Sequence, residues 1–281
     1  MENQIIKKLT PIYVGKWIGS KIRWHTQILL TYLGLFSNCD RSELDKFKNK
    51  HTGQVGYLIG SGPSVRVEDL EKLGNRITFC CNRFHLAYHM MSFRPLYTVS
   101  ADFDMIRDFG SQIVSESEGT IFLGYQTRPH ITGNFIWVNA KYKSSPLVFS
   151  KKIYHHVVVG GSSLVVAIQL GFFMGIKHFV LYGVDHDFKY KIIRSSTGPE
   201  YCTAVGDDNH FIKNYRSGKS WCPPQMETIE KSLCWADRFL RKQGGWLINA
   251  TRGGKLDVLE RKNFDQILMI QASTRDGEKE G

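Results

Sequence analysis

The residues best suited to bind a phosphorylated ligand lie in the glycine-rich loop of residues 60–64, GSGPS, which ends the apolar run VGYLI. Glycine lets backbone amides approach an anion closely, and the N-terminus of a following helix favours negative charge. No Gly-Lys-Ser/Thr sequence ends the loop, and Val65 stands where a dinucleotide fingerprint has its third glycine. The pattern therefore argues against a P-loop or dinucleotide site. It leaves open a tight turn or a site for another phosphate-bearing ligand.

Small or polar residues end several other predicted elements. They are found at residues 82–83 (NR), 100–102 (SAD), 160–163 (GGSS) and 185–186 (DH). In an open parallel sheet, ligands bind at the carboxyl ends of the strands, where loops lead into helix N-termini. Helix capping alone would explain the serines of residues 160–163. Together, however, these loops would surround one small ligand.

The elements that must position these loops alternate along the chain. Apolar runs at residues 55–60, 76–82, 96–102, 119–125, 135–140, 178–185 and 246–251 predict strands, and residues 65–73, 103–117, 162–175 and 225–244 predict helices. Apolar strands that alternate with helices imply a mostly parallel sheet covered by helices on both faces. The sequence therefore predicts an α/β, Rossmann-like fold.

Residues 186–224 break this alternation, because they are polar, aromatic and glycine-rich without a sustained helix or strand pattern. A structureless stretch of this length inside a compact domain is usually functional or disordered. Its aromatic content argues against disorder, so we interpret it as a lid over a site. His186 and His210 lie in it, and each follows acidic residues. An imidazole with an ordinary pKa near 6.5 can act as a base at neutral pH.

The formal net charge of +11 suits a polyanionic partner: nucleic acid, anionic lipid or a phosphorylated substrate. A soluble protein with a lysine-rich surface has the same balance. Lysine and arginine are spread widely, whereas Gly, Ser, Asn and Asp concentrate at strand ends, which favours a small-ligand site over a nucleic-acid-binding module. Basic residues that could meet a phosphate or an acidic sugar, or simply be solvated, are Arg194, Lys213 and Arg216.

Residues 1–36 combine basic and aromatic side chains at mostly helical spacing. Such a helix either lies on an anionic membrane surface or packs on the domain. No signal peptide is recognisable, and no apolar segment approaches the roughly 20 residues needed to cross a bilayer. The cysteines form no CxxC pair. We therefore expect a cytoplasmic protein with free thiols, peripheral on the inner membrane face if residues 1–36 bind lipid.

In order and spacing, the segments YLIGSGPS, FCCNRF, GGSSLVVAIQLGFFMGIKHFVLYGVDHDF, DDNHF and NATRGG resemble the bacterial sialyltransferases of glycosyltransferase family 42. They resemble still more closely a set of polysaccharide-biosynthesis proteins that are grouped with archaeal 6-hydroxymethylpterin diphosphokinase. The resemblance covers about residues 55–260. It implies a GT-A-variant fold, a CMP-sugar donor, a flexible lid and no essential metal.

The resemblance also implies roles for individual residues. The nucleotide would be bound by Gly60, Ser61, Gly62, Ser64, Asn82, Asp102, Gly161, Ser162 and Ser163. His210 would be the general base on the acceptor hydroxyl, with His186 and Asp185 as further catalytic candidates. The family's leaving-phosphate tyrosines are replaced by His186-Asp187-Phe188, so the candidates for that role are Tyr190, Tyr201 and Tyr215.

Two enzyme functions follow. The first is transfer of a sugar, sialic-acid-like or otherwise CMP-activated, to a cell-surface glycan or lipid-linked acceptor in lipopolysaccharide or capsule biosynthesis. The second is Mg²⁺-dependent pyrophosphoryl transfer, because Asp102 stands where the sialyltransferases have asparagine and an acidic group beside phosphates suits a ribose contact or a divalent cation. Asp185 would join Asp102 at such an ion. A homo-oligomer is compatible with either.

The predicted organisation is a basic amphipathic N-terminal segment (1–50), a nucleotide-binding α/β domain (51–185), the lid (186–224), a helix and strand that complete the α/β domain (225–270), and a disordered tail (271–281).

Overall fold

The computed structural model describes residues 41–124, 131–142, 153–193, 200–206 and 208–277. Its strands are β1 (Val55–Ile59), β2 (Ile77–Cys81), β3 (Tyr97–Ser100), β4 (Thr120–Gly124), β5 (Ile136–Val138), β6 (Ala140–Lys141), β7 (Val157–Val158), β8 (His178–Tyr182), β9 (Tyr190–Ile193), β10 (Tyr201–Ala204) and β11 (Trp246–Asn249). Its α-helices are α1 (Arg41–Asp45), α2 (Val67–Glu71), α3 (Phe103–Glu116), α4 (Ser163–Phe173), α5 (Met226–Arg241) and α6 (Phe264–Gly277), and a 3₁₀ helix spans Phe84–Met90.

The centre of the molecule is a seven-stranded sheet with the order β11-β8-β1-β2-β3-β4-β5. Every neighbouring pair in this sheet is parallel. The predicted α/β, Rossmann-like fold is thus confirmed. The strands of a parallel sheet are buried on both faces, which explains why they read as continuous apolar runs.

Helices cover both faces of this sheet. Leu58 points into one hydrophobic core, where α4 and α5 pack, whereas its neighbours Tyr57 and Ile59 point into the other, formed with α2, α3 and α6. This division follows from the alternation of side chains along a strand. All positions of α4 from Ser163 to Gly171 are buried, which explains why its sequence is apolar on every side.

The order of the strands creates a crevice. The chain starts in the middle of the sheet at β1, adds β2 to β5 on one side, and then returns to place β8 and β11 on the other side. Where the strand order reverses, between β1 and β8, the loops at their carboxyl ends run in opposite directions. This switch point is where an open α/β sheet binds its ligand.

The strand predicted over residues 135–140 is two strands. Asn139 interrupts it, because its side-chain amide donates to the His155 carbonyl (2.5 Å) and its own carbonyl accepts from the Val157 amide (2.9 Å). These bonds direct β6 away from the main sheet to pair with β7. The prediction missed the interruption, since a single polar residue in an apolar run does not reveal a distant partner.

The lid segment, residues 186–224, contains regular structure that the sequence did not predict. β9 and β10 pair as an antiparallel ribbon. Most of its residues are polar or exposed, since Ile192 and Ile193 are 47% and 48% exposed and only Cys202 is buried, so no one-sided apolar pattern marks them as strands. Asn209 closes the ribbon onto the following loop, with its side-chain amide bonded to both backbone groups of Lys189 (2.6 and 2.7 Å).

The boundaries of the folded body differ from the predicted ones at both ends. Residues 41–50, assigned above to an N-terminal segment, belong to the body, because Leu44 and Phe47 are buried in the core and His51 bonds Tyr97 (2.6 Å). At the other end the disordered tail predicted for residues 271–281 is a continuation of α6 up to Gly277. Asn263 starts this helix by accepting backbone hydrogen bonds, and Phe264 anchors it in the core.

The predictions for residues 1–40 and 278–281 lie outside the described residues, and the proposed membrane contact of residues 1–36 is among them. Within the described ranges, no helix is both long and apolar enough to span a bilayer. The described cysteines, Cys80, Cys81, Cys202, Cys222 and Cys234, are free thiols.

Candidate functional site

A cleft of about 540 Å³ opens at the switch point, at the carboxyl ends of β1, β2, β3 and β8. The start of α4 and the lid segment complete its wall. The predicted site residues that line it are Gly60, Ser61, Gly62, Asn82, Asp102, Gly161, Ser162, Ser163, Asp185, His186, Tyr201, His210 and Tyr215. Ser64 and Tyr190 do not line it. The structure therefore brings most of the predicted residues to one place.

The glycines after β1 are required by the loop that follows β8. The Gly60 amide donates to the Tyr182 carbonyl (2.8 Å) and the Gly62 amide to the Gly183 carbonyl (2.9 Å). A Cβ on Gly60 would lie 2.3 Å from the Gly183 oxygen, and a Cβ on Gly62 would lie 1.9 Å from Asp185 Oδ2. These two amides thus hold the loops together, which differs from the sequence interpretation that they approach an anion.

Asp185 is held in place by its surroundings. Its Oδ2 accepts from the hydroxyl and the amide of Ser64 (2.8 and 3.3 Å), and its carbonyl accepts from the Lys255 amide (2.7 Å). Gly254, with φ of +79°, packs so closely that a Cβ there would lie 2.4 Å from the Asp185 Cα. Ser64 therefore acts on Asp185 rather than on the cleft.

The NATRGG segment that follows β11 packs against the same corner. Thr251 accepts a hydrogen bond from the Val184 amide (3.0 Å) through its hydroxyl. Arg252 forms an ion pair with buried Asp69, which also accepts from Tyr182 (2.5 Å). Because Arg252 and Tyr182 bond the ionised carboxylate, the pKa of Asp69 is lowered despite burial. This segment fixes the β8 loop and hence one side of the cleft.

Asn82 lies at the end of β2 with a left-handed backbone, φ of +57°. Its Oδ1 is the acceptor for the hydroxyls of Ser100 (2.8 Å) and Ser163 (3.3 Å), and the Ser163 oxygen in turn accepts from the Ala101 amide (3.0 Å). With its oxygen engaged twice, Asn82 has its amide NH₂ as the group to offer a ligand. Three strand and helix ends thereby converge on one amide.

Ser162 and Asp102 both cap helices that begin at the cleft. The Ser162 hydroxyl accepts from the Leu164 amide (3.2 Å), and Asp102 Oδ1 accepts from the Met105 amide (2.7 Å). Burial raises the pKa of Asp102, an effect that the nearby Arg216 charge opposes. Among the side chains that the structure describes, no group of three or more His, Cys, Asp or Glu residues is arranged to hold a metal ion.

His210 stands between the β1 loop and the lid segment. Its Nδ1 is 2.9 Å from the Ser61 hydroxyl, and its ring stacks on Tyr215 with 3.8 Å between centroids. The next residue, Phe211, donates its amide to the Ser61 carbonyl (3.1 Å). These contacts fix the orientation of the imidazole in the cleft wall.

His186 is the second cleft histidine, and it has a partner that the sequence did not suggest. Its Nε2 is 2.9 Å from Glu230 Oε1 of α5, and its backbone is left-handed with φ of +54°. Only 7% of the residue is exposed. A carboxylate that binds one ring nitrogen orients an imidazole and sets its tautomer, so His186 is also built for hydrogen bonding or proton transfer.

The tyrosine candidates separate by position. Tyr215 is buried in the cleft wall, and its burial raises its pKa to about 12, while a hydrogen bond with Ser61 opposes the shift. Its hydroxyl is therefore a donor at neutral pH. Tyr201 lines the cleft from β10, whereas Tyr190, although in the paired strand, is not among the lining residues.

Two arginines contact the lid segment: Arg83, which the sequence placed after a strand, and Arg216, which it named as a phosphate candidate. Arg83 anchors the lid, because its guanidinium donates to the Tyr215 carbonyl (2.5 Å), to Ser217 (3.2 Å) and to Gln112 (2.8 Å). Arg216 lines the cleft and stacks on Trp221 at 4.8 Å. Its Nη1 is buried and has no hydrogen-bond partner within the described ranges.

Arg194 and Asp207 lie outside the described residues, and the structure assigns Lys213 to an exposed position that lines no cavity described here. Of the basic candidates, Arg216 is thus the one that the cleft contains. The tertiary structure was needed to choose it from the three candidates, because the sequence around it resembles that of any solvated arginine.

Comparison with solved structures finds the sialyltransferase CstII from Campylobacter jejuni in complex with a substrate analogue, cytidine-5′-monophosphate. It is 14% identical with a TM-score of 0.43, over 76% of this chain and 86% of that chain. CstII in complex with CMP-3FNeuAc is also 14% identical, with a TM-score of 0.39 over 75% and 87%. No protein-family model matches, and a comparison with curated protein sequences finds no significant match. The structural likeness is remote and assigns no role to any residue of this chain.

Proposed function

We propose that this protein is a glycosyltransferase that moves a sugar from a nucleotide donor, of the CMP-sugar kind, to a hydroxyl of a glycan or lipid-linked acceptor. One observation carries the proposal: His210, the half-buried Arg216 with its unpartnered Nη1 and the amide of Asn82 line a single cleft at the switch point of a parallel sheet. A base, a cation for a leaving phosphate and a donor for the nucleotide are the groups that such a reaction needs.

The donor would lie along the carboxyl ends of β1, β2 and β8. A cleft of about 540 Å³ is in the range of small-molecule sites. The Asn82 amide would donate to the nucleotide, and the caps at Ser162 and Asp102 place two helix N-termini at the same wall, where partial positive charge favours a phosphate.

Arg216 would bind the phosphate that leaves. A buried guanidinium nitrogen with no acceptor costs free energy, which a phosphate oxygen would recover as a charge-assisted hydrogen bond. The Tyr215 hydroxyl, kept protonated by burial, and Tyr201 are further donors near this position. Negative charge develops on the phosphate as the sugar departs, so these donors would act most strongly in the transition state.

His210 would act as the general base. In the transfer, the bond between the sugar carbon and the phosphate oxygen breaks with its electron pair on the phosphate, and the acceptor oxygen forms the new bond to that carbon. The acceptor proton goes to the imidazole. Nδ1 is 2.9 Å from the Ser61 hydroxyl, and in the tautomer in which Nδ1 donates to this hydroxyl, Nε2 carries the lone pair that would take the proton.

The alternative, Mg²⁺-dependent pyrophosphoryl transfer, would use Asp102 and Asp185. In each carboxylate one oxygen already binds the protein, Met105 in one case and Ser64 in the other. Glycosyl transfer is the better supported reaction, because His210 and Arg216 line the cleft beside these two carboxylates and would supply a base for the acceptor and a cation for the leaving phosphate. The proposal also includes a glycan or lipid-linked acceptor, a location at the membrane surface and a homo-oligomeric state.

A thermal-shift panel of CMP, CDP, UDP, GDP, ADP and ATP, each with Mg²⁺ and with EDTA, tests the proposal. We expect CMP to raise the melting temperature in EDTA, since a ligand at 100 times its Kd stabilises the folded state by about 2.7 kcal/mol. Selective stabilisation by ATP that requires Mg²⁺ would favour the phosphoryl-transfer alternative. No shift with any nucleotide would reject both enzymes.

A further inference from the structure

A second cavity of about 260 Å³ adjoins the cleft. The end of β10 and residues 209–221 of the lid segment form it, and we call it the side cavity. His210, Tyr215, Arg216 and Trp221 line both the side cavity and the cleft. The candidate base therefore stands in the wall that the two spaces share.

The lining of the side cavity combines aromatic rings with polar groups. Trp221 is 8% exposed and Tyr215 is 3% exposed, so both rings are fixed. Both the backbone and the ring of Trp221 have partners. Its amide and carbonyl pair with Cys202 (3.0 and 2.8 Å), and Arg216 stacks on its ring. Thr203 and Asn209 are polar groups on the same wall. A rigid aromatic surface with a few polar groups is typical of a small-ligand site.

The charge of the side cavity is one-sided. Of the lining residues that the structure describes, those with a formal charge at neutral pH are Arg216 and Lys219, and none is a carboxylate. The Arg216 guanidinium has a buried nitrogen, Nη1, without a hydrogen-bond partner in the described part of the chain. Arginine pairs with carboxylate and phosphate oxygens by two parallel hydrogen bonds. The cavity thus favours an anionic group.

We infer that the side cavity is the acceptor subsite and that it takes one sugar unit with a carboxylate or phosphate group. The inference rests on the proposed function. A donor in the cleft and an acceptor in the side cavity would meet at His210, and the base would then face the acceptor hydroxyl while Arg216 spans both ligands. Enclosure of the acceptor by the lid segment would also keep water from the donor.

The test uses the full chain with saturating CMP and three probes, observed by saturation-transfer difference NMR. The probes are methyl β-D-galactopyranoside, methyl β-D-galactopyranosiduronate and galactose 6-phosphate, which distinguish a neutral sugar, a carboxylate and a phosphate. We expect at least one acidic probe to bind tenfold or more tightly than the neutral sugar. Equal binding of all three, or no binding of either acidic probe, would overturn the inference.

The substitution Lys219→Ala tests whether the acidic probe binds in the side cavity, and Lys213→Ala is its matched control. Both lysines are exposed and lie in the lid segment, but only Lys219 lines the side cavity. Neither substitution should disturb folding. We expect Lys219→Ala to weaken the acidic probe about three- to fivefold, the effect of one solvent-screened charge, and Lys213→Ala to leave it unchanged. If the two substitutions weakened the acidic probe equally, the probe would bind outside the side cavity and the inference would be wrong.

CMP binding by the same variants separates the two claims. If CMP raises the melting temperature but no acidic probe binds, the acceptor subsite is wrong and the nucleotide site stands. If CMP does not bind to the wild-type protein, the proposed function fails, and the acceptor role fails with it. Retention of CMP affinity by Lys219→Ala is expected, because Lys219 does not line the cleft.

Discussion

At the residue scale, the cleft holds two histidines with different supports. His210 is bound through Nδ1 to the Ser61 hydroxyl and lies in the wall shared with the side cavity. His186 is bound through Nε2 to Glu230 and is nearly enclosed. A hydroxyl fixes the orientation of a ring, whereas a carboxylate also stabilises a positive charge on it. Position favours His210 as the base, because it lines the side cavity in which we propose that the acceptor binds.

His210→Ala should lower the rate of sugar transfer from a CMP-sugar by about 10²–10⁴-fold, the usual contribution of a general base. CMP affinity should change little, since we assign His210 to the acceptor and assign the CMP contacts to other side chains, chiefly Asn82 and Arg216. Transfer assays and CMP titrations of the same preparation measure both. The control is His89→Ala, an exposed histidine outside the cleft. Full activity in His210→Ala together with loss in His186→Ala would assign the base to His186.

The sequence predicted these two histidines because both lie in one aperiodic segment after a strand. It named Arg216 only as one of three basic candidates for a phosphate or an acidic sugar, and it did not suggest Glu230. Glu230 lies on a helix whose pattern indicates only an apolar face and a solvated face, and its contact with His186 spans 44 residues. A residue acquires such a role from tertiary contacts, which no local spacing records.

At the element scale, the tight contact between the β1 and β8 loops determines the shape of the cleft. Residues 60–62 approach the backbone of Gly183 and the side chain of Asp185 more closely than any Cβ permits. The glycine-rich loop was recognisable in the sequence, and so was its position after a strand. The reason for its glycines was not, because β8 lies more than a hundred residues later.

Gly62→Ala should destabilise the fold, because its Cβ would meet Asp185 Oδ2 at 1.9 Å. Overpacking of this kind costs about 1–3 kcal/mol, and each kcal/mol lowers the melting temperature of a large domain by about 2–4 °C. Gly253→Ala is the control, since its nearest neighbours would be 3.8 and 4.0 Å away. Equal melting temperatures of the two variants, measured by calorimetry, would contradict the packing argument.

The 3₁₀ helix Phe84–Met90 buries a histidine that resists protonation. Burial lowers the pKa of His85 to about 4, although Glu116 opposes the shift. In the unfolded chain its pKa is near 6.5. Because the folded state disfavours the proton, the contribution of neutral His85 to stability is complete above pH 6.5 and is lost as the pH falls towards 4.

We therefore expect the free energy of unfolding to fall between pH 6.5 and 4, with His85 responsible for about 3 kcal/mol at most. Urea denaturation at several pH values measures this dependence. Burial also lowers the pKa of His51 and His156, so the comparison of interest is between the wild type and His85→Gln. The variant should show a shallower slope, and parallel slopes would contradict the assignment.

At the scale of the whole molecule, alternation of apolar strands and helices was enough to predict the parallel sheet. It was not enough to predict the strand order, because the pairing of β1 with β8 depends on which edge of the sheet the chain returns to. The missed helix α6 and the missed ribbon β9–β10 have mixed patterns, since each is buried only in part. The cleft follows from the strand order and so became visible only in three dimensions.

The net charge of +11 does not say where the positive charge lies, and the structure was needed to locate it. Among the described residues that line the cleft, Arg216 is the one Arg or Lys, and the helix N-termini capped by Asp102 and Ser162 begin at the same cleft. The lining also contains the carboxylates of Asp104, Asp185 and Asp187, so the positive charge that a phosphate would meet is local to Arg216 and the helix N-termini. The central claim is therefore that the cleft binds a nucleotide through its phosphate and that Arg216 is the main contact.

Isothermal titration of CMP into the full chain in EDTA tests this claim most directly. We expect one CMP to bind per chain, with an affinity reduced about tenfold or more by Arg216→Ala, because a hydrogen bond to a charged group contributes about 1.5–3 kcal/mol. Arg238→Ala, an exposed arginine of α5, should bind CMP as the wild type does. No binding by the wild type, or equal affinity of the Arg216→Ala variant and the wild type, would contradict the account.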